Sequence, residues 1–215
     1  MKGLFITFEG TEGSGKSTQI QLLARRLQDS GFEVRLLREP GGTAIGEEIR
    51  HTLKHSPANR QMTAEAELLL MNASRAQLVR EVIRPALAAG EIVFCDRFYD
   101  STTAYQGYRR QLDLNQVRSV IDFAVGDTRP HLTLLLAVPL EVSEARRHAR
   151  PPENVVQRDR MEEADRDFFK RVEIAYETLA AAQPGRIRRI DAAQAPSLVE
   201  QAIWHEVQAL LELHS

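Results

Sequence analysis

The segment LFITFEGTEGSGKST, residues 4–18, sets the architecture expected for this chain of 215 residues. It opens with a largely apolar run of the length of a buried β-strand, and from Lys16 to Asp29 apolar side chains recur at helical spacing. Between them, residues 10–17 follow the pattern glycine, any four residues, glycine, lysine, serine. Glycines in this pattern let backbone N–H groups converge on phosphate oxygens, and the helix that follows adds its dipole. The segment therefore predicts a strand, a phosphate-binding loop and a helix.

The rest of the chain continues the alternation of strand and helix. Further strands are predicted at 33–39, 92–96, 131–138 and 186–191, and further helices at 44–55, 63–89 and 196–213. This order predicts an α/β protein with the P-loop NTPase fold, in which a parallel five-stranded sheet is flanked by helices on both faces. No linker or repeat divides the chain, so residues 1–215 are expected to form a single domain.

The composition excludes several classes of protein. The 28 basic and 30 acidic residues nearly cancel, so no nucleic-acid partner is expected. No apolar run approaches the ~20 residues of a membrane-spanning helix, and no cleavage pattern follows the first apolar stretch, so neither a membrane partner nor export is expected. The single cysteine, Cys95, excludes an internal disulfide and fits a reducing compartment, which favours the cytoplasm.

The phosphate-binding loop predicts a nucleoside triphosphate ligand together with Mg²⁺. Lys16 is expected to place its charge on the terminal phosphates, while Ser17 and Asp96, which ends the third strand, are expected to hold the metal. A helix N-cap is the alternative role of Asp96. The chain has no Asn-Lys-x-Asp segment for reading guanine, which weighs against a GTPase. The residues assigned to ATP are Gly10, Thr11, Glu12, Gly13, Ser14, Gly15, Lys16, Ser17 and Thr18.

Five further segments carry a resemblance to a known family. They are REPGGTAIGEEIR (38–50), LLLMNASRAQ (68–77), DRFYDSTTAYQG (96–107), TLLLAVPLEVSEAR (133–146) and DRMEEADRDFFKRV (159–172). With the loop, they make the chain similar to thymidylate kinase, a nucleoside monophosphate kinase, over nearly its whole length. The resemblance implies transfer of the γ-phosphoryl group of ATP to dTMP, giving dTDP and ADP for dTTP biosynthesis, by a homodimer.

The resemblance also assigns residues to the acceptor nucleotide. Arg38 and Arg97 would hold its phosphate. Glu12 would meet the sugar 3′-hydroxyl, and Tyr105 would disfavour ribose by packing near the 2′ carbon. Arg75 would donate to a base carbonyl, although an arginine in a predicted helix is otherwise typical of a solvated face. The acceptor-binding residues implied are Glu12, Arg38, Met71, Arg75, Arg97, Ser101, Thr102, Tyr105 and Gln106.

A closing lid is expected at about residues 146–160. Members of the family often have an arginine inside the loop, where this chain has Gly13, and bacterial members with this feature supply the charge from lid arginines. Arginines cluster in the segment around two prolines, for which a solvated surface loop is the alternative. The lid arginines are Arg146, Arg147, Arg150, Arg158 and Arg160. The catalytic residues expected are Lys16, Asp96, Arg97, Arg150 and Arg158.

Three departures from the family pattern leave other functions open. Met71 stands where a phenylalanine commonly stacks on thymine, Phe98 replaces a tyrosine, and Ala137 replaces an aspartate. The first alternative is a kinase of the same fold that acts on another acceptor, such as dUMP or a nucleoside. The second is a non-catalytic, nucleotide-gated binding module. A sensor of that kind needs no second phosphate site, so the predicted acceptor arginines weigh against it.

Overall fold

The computed structural model describes residues 3–149 and 166–214, which form an α/β fold around one parallel sheet. The strands pair in the order β2-β3-β1-β4-β5, all in parallel. This confirms the predicted five-stranded parallel sheet, and each strand lies within a residue of its predicted ends. The strands are β1 (Leu4–Glu9), β2 (Val34–Arg38), β3 (Ile92–Asp96), β4 (Leu132–Ala137) and β5 (Ile187–Asp191).

Helices connect the strands in the described part of the chain. The predicted helix over 63–89 is present but not uniform, because a π-helical segment, Val79–Ile83, separates α3 from α4. A second π-helical segment, Thr103–Arg109, directly continues the short helix α5. The helices are α1 (Lys16–Asp29), α2 (Ala44–Lys54), α3 (Ala64–Leu78), α4 (Arg84–Ala88), α5 (Tyr99–Thr102), α6 (Leu114–Val125), α7 (Leu140–His148), α8 (Arg166–Ala182) and α9 (Pro196–Leu213).

The apolar core lies on both faces of the sheet. Along β1, side chains alternate between the two faces, as the pleat of a strand requires. Ile6 packs on the side of α1 and α9, whereas Phe5 packs on the side of α3, α4 and α6. Both faces of the central strands are therefore covered, which explains why these strands are apolar without alternation. A third cluster packs α8 against Leu135 and Tyr105.

A buried polar network ties the helix that follows β3 to the start of the edge strand β5. The Arg186 guanidinium, just before β5, donates to both carboxylate oxygens of Asp100 in α5, each at 2.8 Å. It also donates to Thr133 Oγ1 at 2.6 Å, and the Thr133 and Thr7 hydroxyls lie 2.7 Å apart. Asp100 therefore fixes the position of the residues next to it, Ser101 and Thr102.

Replacing Asp100 by alanine is expected to lower the free energy of unfolding by about 3 kcal/mol, because it leaves the mostly buried Arg186 cation without its carboxylate. Asp122→Ala, which removes an exposed partner of Arg129, is the matched control and is expected to cost less than about 1 kcal/mol. Urea unfolding of the three proteins measures both effects. Equal losses in the two variants would show that the buried pair contributes no more than a surface pair.

Candidate active site

The loop between β1 and α1 has the backbone of an anion-binding site. Gly10, Gly13 and Gly15 all have positive φ, between 78° and 136°. At Gly10 a Cβ would lie 2.5 Å from the Leu136 carbonyl oxygen, so no other residue fits there without a shift. The N-cap residue of α1 is Gly15, which has no side chain that could cap the helix. The first N–H groups of α1 therefore point outward with the positive end of the helix dipole, as phosphate binding requires.

Lys16 is folded back into this loop. Its Nζ donates to the carbonyl oxygens of Gly10 and Thr11 at 3.1 and 3.0 Å. Burial, with the charge of Arg97 adding to it, lowers the pKa of the Lys16 ammonium to about 8. The lysine is thus held beside the loop N–H groups, where a terminal phosphate would compensate for its lost solvation.

Ser17 and Asp96 lie side by side at the carboxyl edge of the sheet. Ser17 Oγ donates to Asp96 Oδ2 at 3.4 Å, whereas Asp96 Oδ1 is buried and has no hydrogen-bond partner among the described residues. Two hard oxygen ligands, one of them unsatisfied, fit Mg²⁺, which usually takes its remaining ligands from water and substrate phosphates. The alternative role of Asp96 as an N-cap is wrong, because Phe98 occupies the N-cap position of α5.

Arg97 joins the loop to two helices. Its guanidinium donates to Glu12 Oε1 at 2.6 Å, to Ser101 Oγ at 3.1 Å and to Tyr176 Oη at 3.2 Å. Its backbone has a φ of 69°, in the left-handed region that few residues other than glycine adopt, and its N–H donates to the Phe8 carbonyl at 2.9 Å. This turn directs Arg97 back over β1, toward the phosphate-binding loop.

Glu12 is a loop residue that faces the acceptor side. Tyr105 Oη donates to its Oε2 at 3.1 Å, so the two residues implied to contact the sugar lie together. Burial alone would raise the pKa of Glu12, but the charges of Arg97 and Lys16 outweigh burial and lower it to about 2. Glu12 is therefore an ionised acceptor, able to receive a hydrogen bond from a hydroxyl group.

Glu9 is a site residue that the sequence analysis missed. This fully buried carboxylate accepts from the backbone N–H groups of Phe98 and Ser101, at 2.8 and 3.3 Å, and from the hydroxyls of Ser101 and Tyr176, at 2.6 and 2.9 Å. Burial, with the charge of Asp100 adding to it, raises the pKa of Glu9 to about 7. The signal that could have found it is an acidic residue at the end of an otherwise buried strand.

Arg75 is buried and does not lie on a solvated helix face. Only 1% of its side chain is exposed. Its Nε and Nη2 donate to Glu39 Oε2 at 2.8 and 2.6 Å, and its Nη1 donates to Asn72 Oδ1 at 2.9 Å. Met71 is also buried and lies one helical turn earlier. Arg75 therefore has a fixed orientation and remaining N–H groups with which to donate to a ligand.

The other acceptor-side residues divide into two groups. Thr102 and Gln106 are fully buried, and Thr102 Oγ1 and Gln106 Oε1 have no hydrogen-bond partner within the part of the chain that the structure describes. Arg38 is half-exposed and donates to Glu47 at 3.0 Å, so the structure does not join its side chain to the Arg97 network. Its backbone nevertheless lies opposite Asp96 in the sheet register.

The predicted lid is only partly described. Helix α7 ends at His148, so the first residues of the expected lid, 146–148, are helical. Arg146 donates to the carbonyl oxygens of Ala192, at 2.9 Å, and Gly13, at 3.5 Å. The remaining residues of the expected lid, 150–160, lie outside the described residues, and with them Arg150 and Arg158.

Comparison with known proteins assigns the family. The thymidylate kinase family model matches residues 8–203. The chain belongs to the thymidylate kinase family. It is 50% identical over 212 residues to a thymidylate kinase of Pseudomonas fluorescens strain SBW25, covering 99% of this chain and 98% of that protein. It is 47% identical over 210 residues to one of Synechococcus, covering 98% and 97%.

A solved relative supports the same assignment. The crystal structure of thymidylate kinase from Ehrlichia chaffeensis is similar with a TM-score of 0.75 and 32% sequence identity, covering 97% of this chain and 99% of that one. The resemblance inferred from the motifs and the P-loop NTPase fold are thereby confirmed, and this family member is a kinase. Across the described ranges, no helix combines the length and apolar character needed to cross a membrane.

The low pKa of Glu12 predicts a measurable dependence of stability on pH. Because its pKa is about 2 in the fold and 4.5 ordinarily, Glu12 stabilises the fold above its ordinary pKa and loses this effect as the pH falls through the folded value. The difference in free energy of unfolding between the wild type and Glu12→Gln should narrow by about 1 kcal/mol from pH ~5.5 to ~3.5. Urea unfolding at each pH tests this, and a constant difference would contradict it.

Proposed function

We propose that this chain transfers the γ-phosphoryl group of ATP to dTMP, yielding dTDP and ADP. The observation that carries the proposal is the hydrogen bond from Arg97 to Glu12 at 2.6 Å. It places a cation suited to a second phosphorylated ligand directly against the loop that binds the first. A nucleotide-gated binding module has no use for such an arrangement, and membership of the family favours dTMP over another acceptor.

Catalysis in this proposal rests on position and charge. The loop N–H groups and Lys16 hold the phosphates of ATP, and Arg97, with Arg38, offsets the repulsion between two anionic ligands. Ser17 and Asp96 would hold Mg²⁺, which neutralises charge on the phosphate oxygens when it is bound. An oxygen of the dTMP phosphate bonds to the γ-phosphorus while the bond from that phosphorus to the β–γ bridging oxygen breaks, and ADP leaves.

No general base is needed for this transfer. A phosphate monoester has a second pKa near ~6, so the acceptor is largely dianionic at neutral pH and carries no proton that must be removed. Asp96 is accordingly assigned to the metal, not to proton abstraction. Arg150 and Arg158 are assigned to the charge that develops on the transferred group, since the loop itself supplies only Lys16.

The acceptor sugar and base are assigned to the buried groups beside Arg97. Glu12 accepts from the sugar 3′-hydroxyl, and Tyr105, whose hydroxyl is held by Glu12, lies against the 2′ carbon. Arg75 donates to a base carbonyl and Met71 covers the face of the ring. Thr102 Oγ1 and Gln106 Oε1 lack a partner among the residues that the structure describes, which supports a polar ligand here, because buried polar atoms are normally hydrogen-bonded.

The proposed cell compartment and partners follow from the rest of the chain. Cys95 is buried in β3 and the chain carries a net charge of −2. These features support a cytoplasmic enzyme that acts on small nucleotides, with no nucleic-acid or membrane partner.

A homodimer is proposed through the face formed by α2, α3 and α6, which pack side by side with α3 in the middle. Each of these helices exposes a large apolar side chain: Ile45 at 56%, Leu69 at 58% and Phe123 at 84%. A second copy of the chain would remove this apolar area from water.

The proposed activity is tested by ADP release with Mg·ATP and, in turn, dTMP, dUMP, the ribonucleotide TMP, dCMP, AMP or thymidine, with a reaction lacking acceptor. Fastest turnover is expected with dTMP. Faster turnover with another acceptor would support the same mechanism, with that acceptor as the substrate in place of dTMP. Hydrolysis independent of acceptor, or no turnover, would favour the binding module.

The same assay tests the loop. Lys16→Ala is expected to lower turnover with dTMP by about a hundredfold or more, because it removes a cation at the transferred group while leaving the apolar core intact. Lys170→Ala, which removes an exposed lysine of α8, is the matched control and should retain wild-type turnover. Near-normal turnover of a folded Lys16→Ala protein would refute the assignment of the loop.

The dimer face is tested by Phe123→Glu, which places a charge within the proposed interface. Sedimentation is expected to show a dimer for the wild type and a monomer for this variant, because burying an unpaired carboxylate is costly. Leu213→Glu changes an equally exposed apolar residue at the end of α9 and should stay dimeric. A dimeric Phe123→Glu protein would place the interface elsewhere.

A further inference from the structure

Gln106, in the π-helical segment after α5, is held in one orientation by a carboxylate. Its Nε2 donates to Glu67 Oε1 at 2.8 Å, and its side chain is fully buried. Its other polar atom, Oε1, has no hydrogen-bond partner in residues 3–149 and 166–214. A buried amide oxygen without a partner costs free energy unless water or a ligand satisfies it.

Arg110 determines which end of the Gln106 amide faces Glu67. Arg110 Nη2 donates to Glu67 Oε2 at 2.7 Å, and only 1% of the Glu67 side chain is exposed. A guanidinium only donates hydrogen bonds, and the two oxygens of Glu67 accept from Arg110 and from Gln106 Nε2. Gln106 must therefore turn its NH₂ group toward Glu67, which leaves its carbonyl oxygen directed away from Glu67.

The elements that carry these residues also carry the residues assigned to the base. Glu67, Met71 and Arg75 follow one another at four-residue spacing on α3, so they share one face of that helix. Arg75 is fixed as a hydrogen-bond donor, because Glu39 and Asn72 hold its guanidinium. One face of α3 thus fixes both a donor, Arg75, and, through Glu67, an acceptor, Gln106 Oε1.

We infer that Glu67, held by Arg110, is a positioning residue that sets base selectivity by directing the Gln106 carbonyl oxygen toward the N3–H group of the pyrimidine. This inference rests on the proposed function. Thymine and uracil present a carbonyl oxygen at position 4 and a donor at position 3, which match Arg75 and Gln106. Cytosine presents an amino group and a bare nitrogen, so both contacts are reversed and both buried protein groups lose their partners.

The test compares Glu67→Gln with the wild type. A neutral amide at position 67 can accept from or donate to Gln106, so the carbonyl oxygen of Gln106 is no longer fixed. The ratio of kcat/KM for dTMP to kcat/KM for dCMP is expected to fall about tenfold, the value of one hydrogen bond. The ratio for dTMP to dUMP should not change, because these bases present the same groups at positions 3 and 4. The loss for dTMP should appear in the acceptor KM.

Glu81→Gln is the matched control, since the Glu81 carboxylate accepts from the amide of Gln77 at 2.7 Å on an exposed surface. It should keep both ratios. An unchanged dTMP-to-dCMP ratio in folded Glu67→Gln overturns the inference. An equal fall in kcat/KM for dTMP, dUMP and dCMP also overturns it, because that result would assign Glu67 a purely structural role. If Glu67→Gln does not fold, Arg110→Gln is used instead; it releases Glu67 Oε2 and loosens the carboxylate, so a smaller fall in the same ratio is expected, and an unchanged ratio overturns the inference.

The proposed function is tested by turnover of the wild type, whereas this inference can also be tested by binding alone. If the wild type does not phosphorylate dTMP, the proposed function is refuted. Calorimetric titration with dTMP and dCMP then still measures the preference of the wild type and of Glu67→Gln for the two bases. A preference for dTMP that is lost in the variant supports the inference, and equal preferences in the two proteins overturn it.

Discussion

The site depends on one interaction, the contact of the Arg97 guanidinium with Glu12 of the phosphate-binding loop. Three things make this contact possible: a left-handed backbone at residue 97, a hydrogen bond from its N–H to β1, and the buried carboxylate of Glu9, which fixes Ser101 and Tyr176 around the guanidinium. The charged side chains of Arg97, Glu12 and Glu9 all have hydrogen-bond partners, which offset the cost of removing a charge from water. The loop, α5 and α8 are therefore held as one unit.

Binding capacity in the described residues is concentrated on the acceptor side. Of the five buried side-chain oxygen atoms that have no partner among the residues described, those of Thr102, Gln106 and Glu39 lie among the proposed acceptor-side residues and their partners, whereas the other two belong to Asp96 and to Gln19 in α1. Such atoms reduce the stability of the free protein and regain their hydrogen bonds when a polar ligand arrives. A ligand that satisfies them stabilises the fold by mass action, so the region proposed to recognise the acceptor is also one where binding and stability are closely coupled.

The sequence was sufficient to predict whatever depends on local patterning. The strand, loop and helix around Lys16 follow from an apolar run, spaced glycines and helical periodicity, each of which spans a few residues. The burial of Arg75 and the contacts of Glu9 and Glu67 did not follow from local patterning, because their partners lie far away in the sequence: Glu9 bonds Ser101, and Arg75 bonds Glu39. An arginine in a predicted helix, such as Arg75, is typical of a solvated face, and only its tertiary contacts show that it is a buried hydrogen-bond donor.

The two outer strands of the sheet share one more property. β2 carries Arg35 and Arg38, and β5 carries Arg188 and Arg189, each at least partly exposed and paired with a glutamate. An edge strand offers unpaired N–H and carbonyl groups to any other extended chain, and charged side chains on such an edge oppose that addition. Arg38, which is proposed to hold the acceptor phosphate at the end of β2, thus also helps to keep the sheet five strands wide and the protein free of edge-to-edge aggregation.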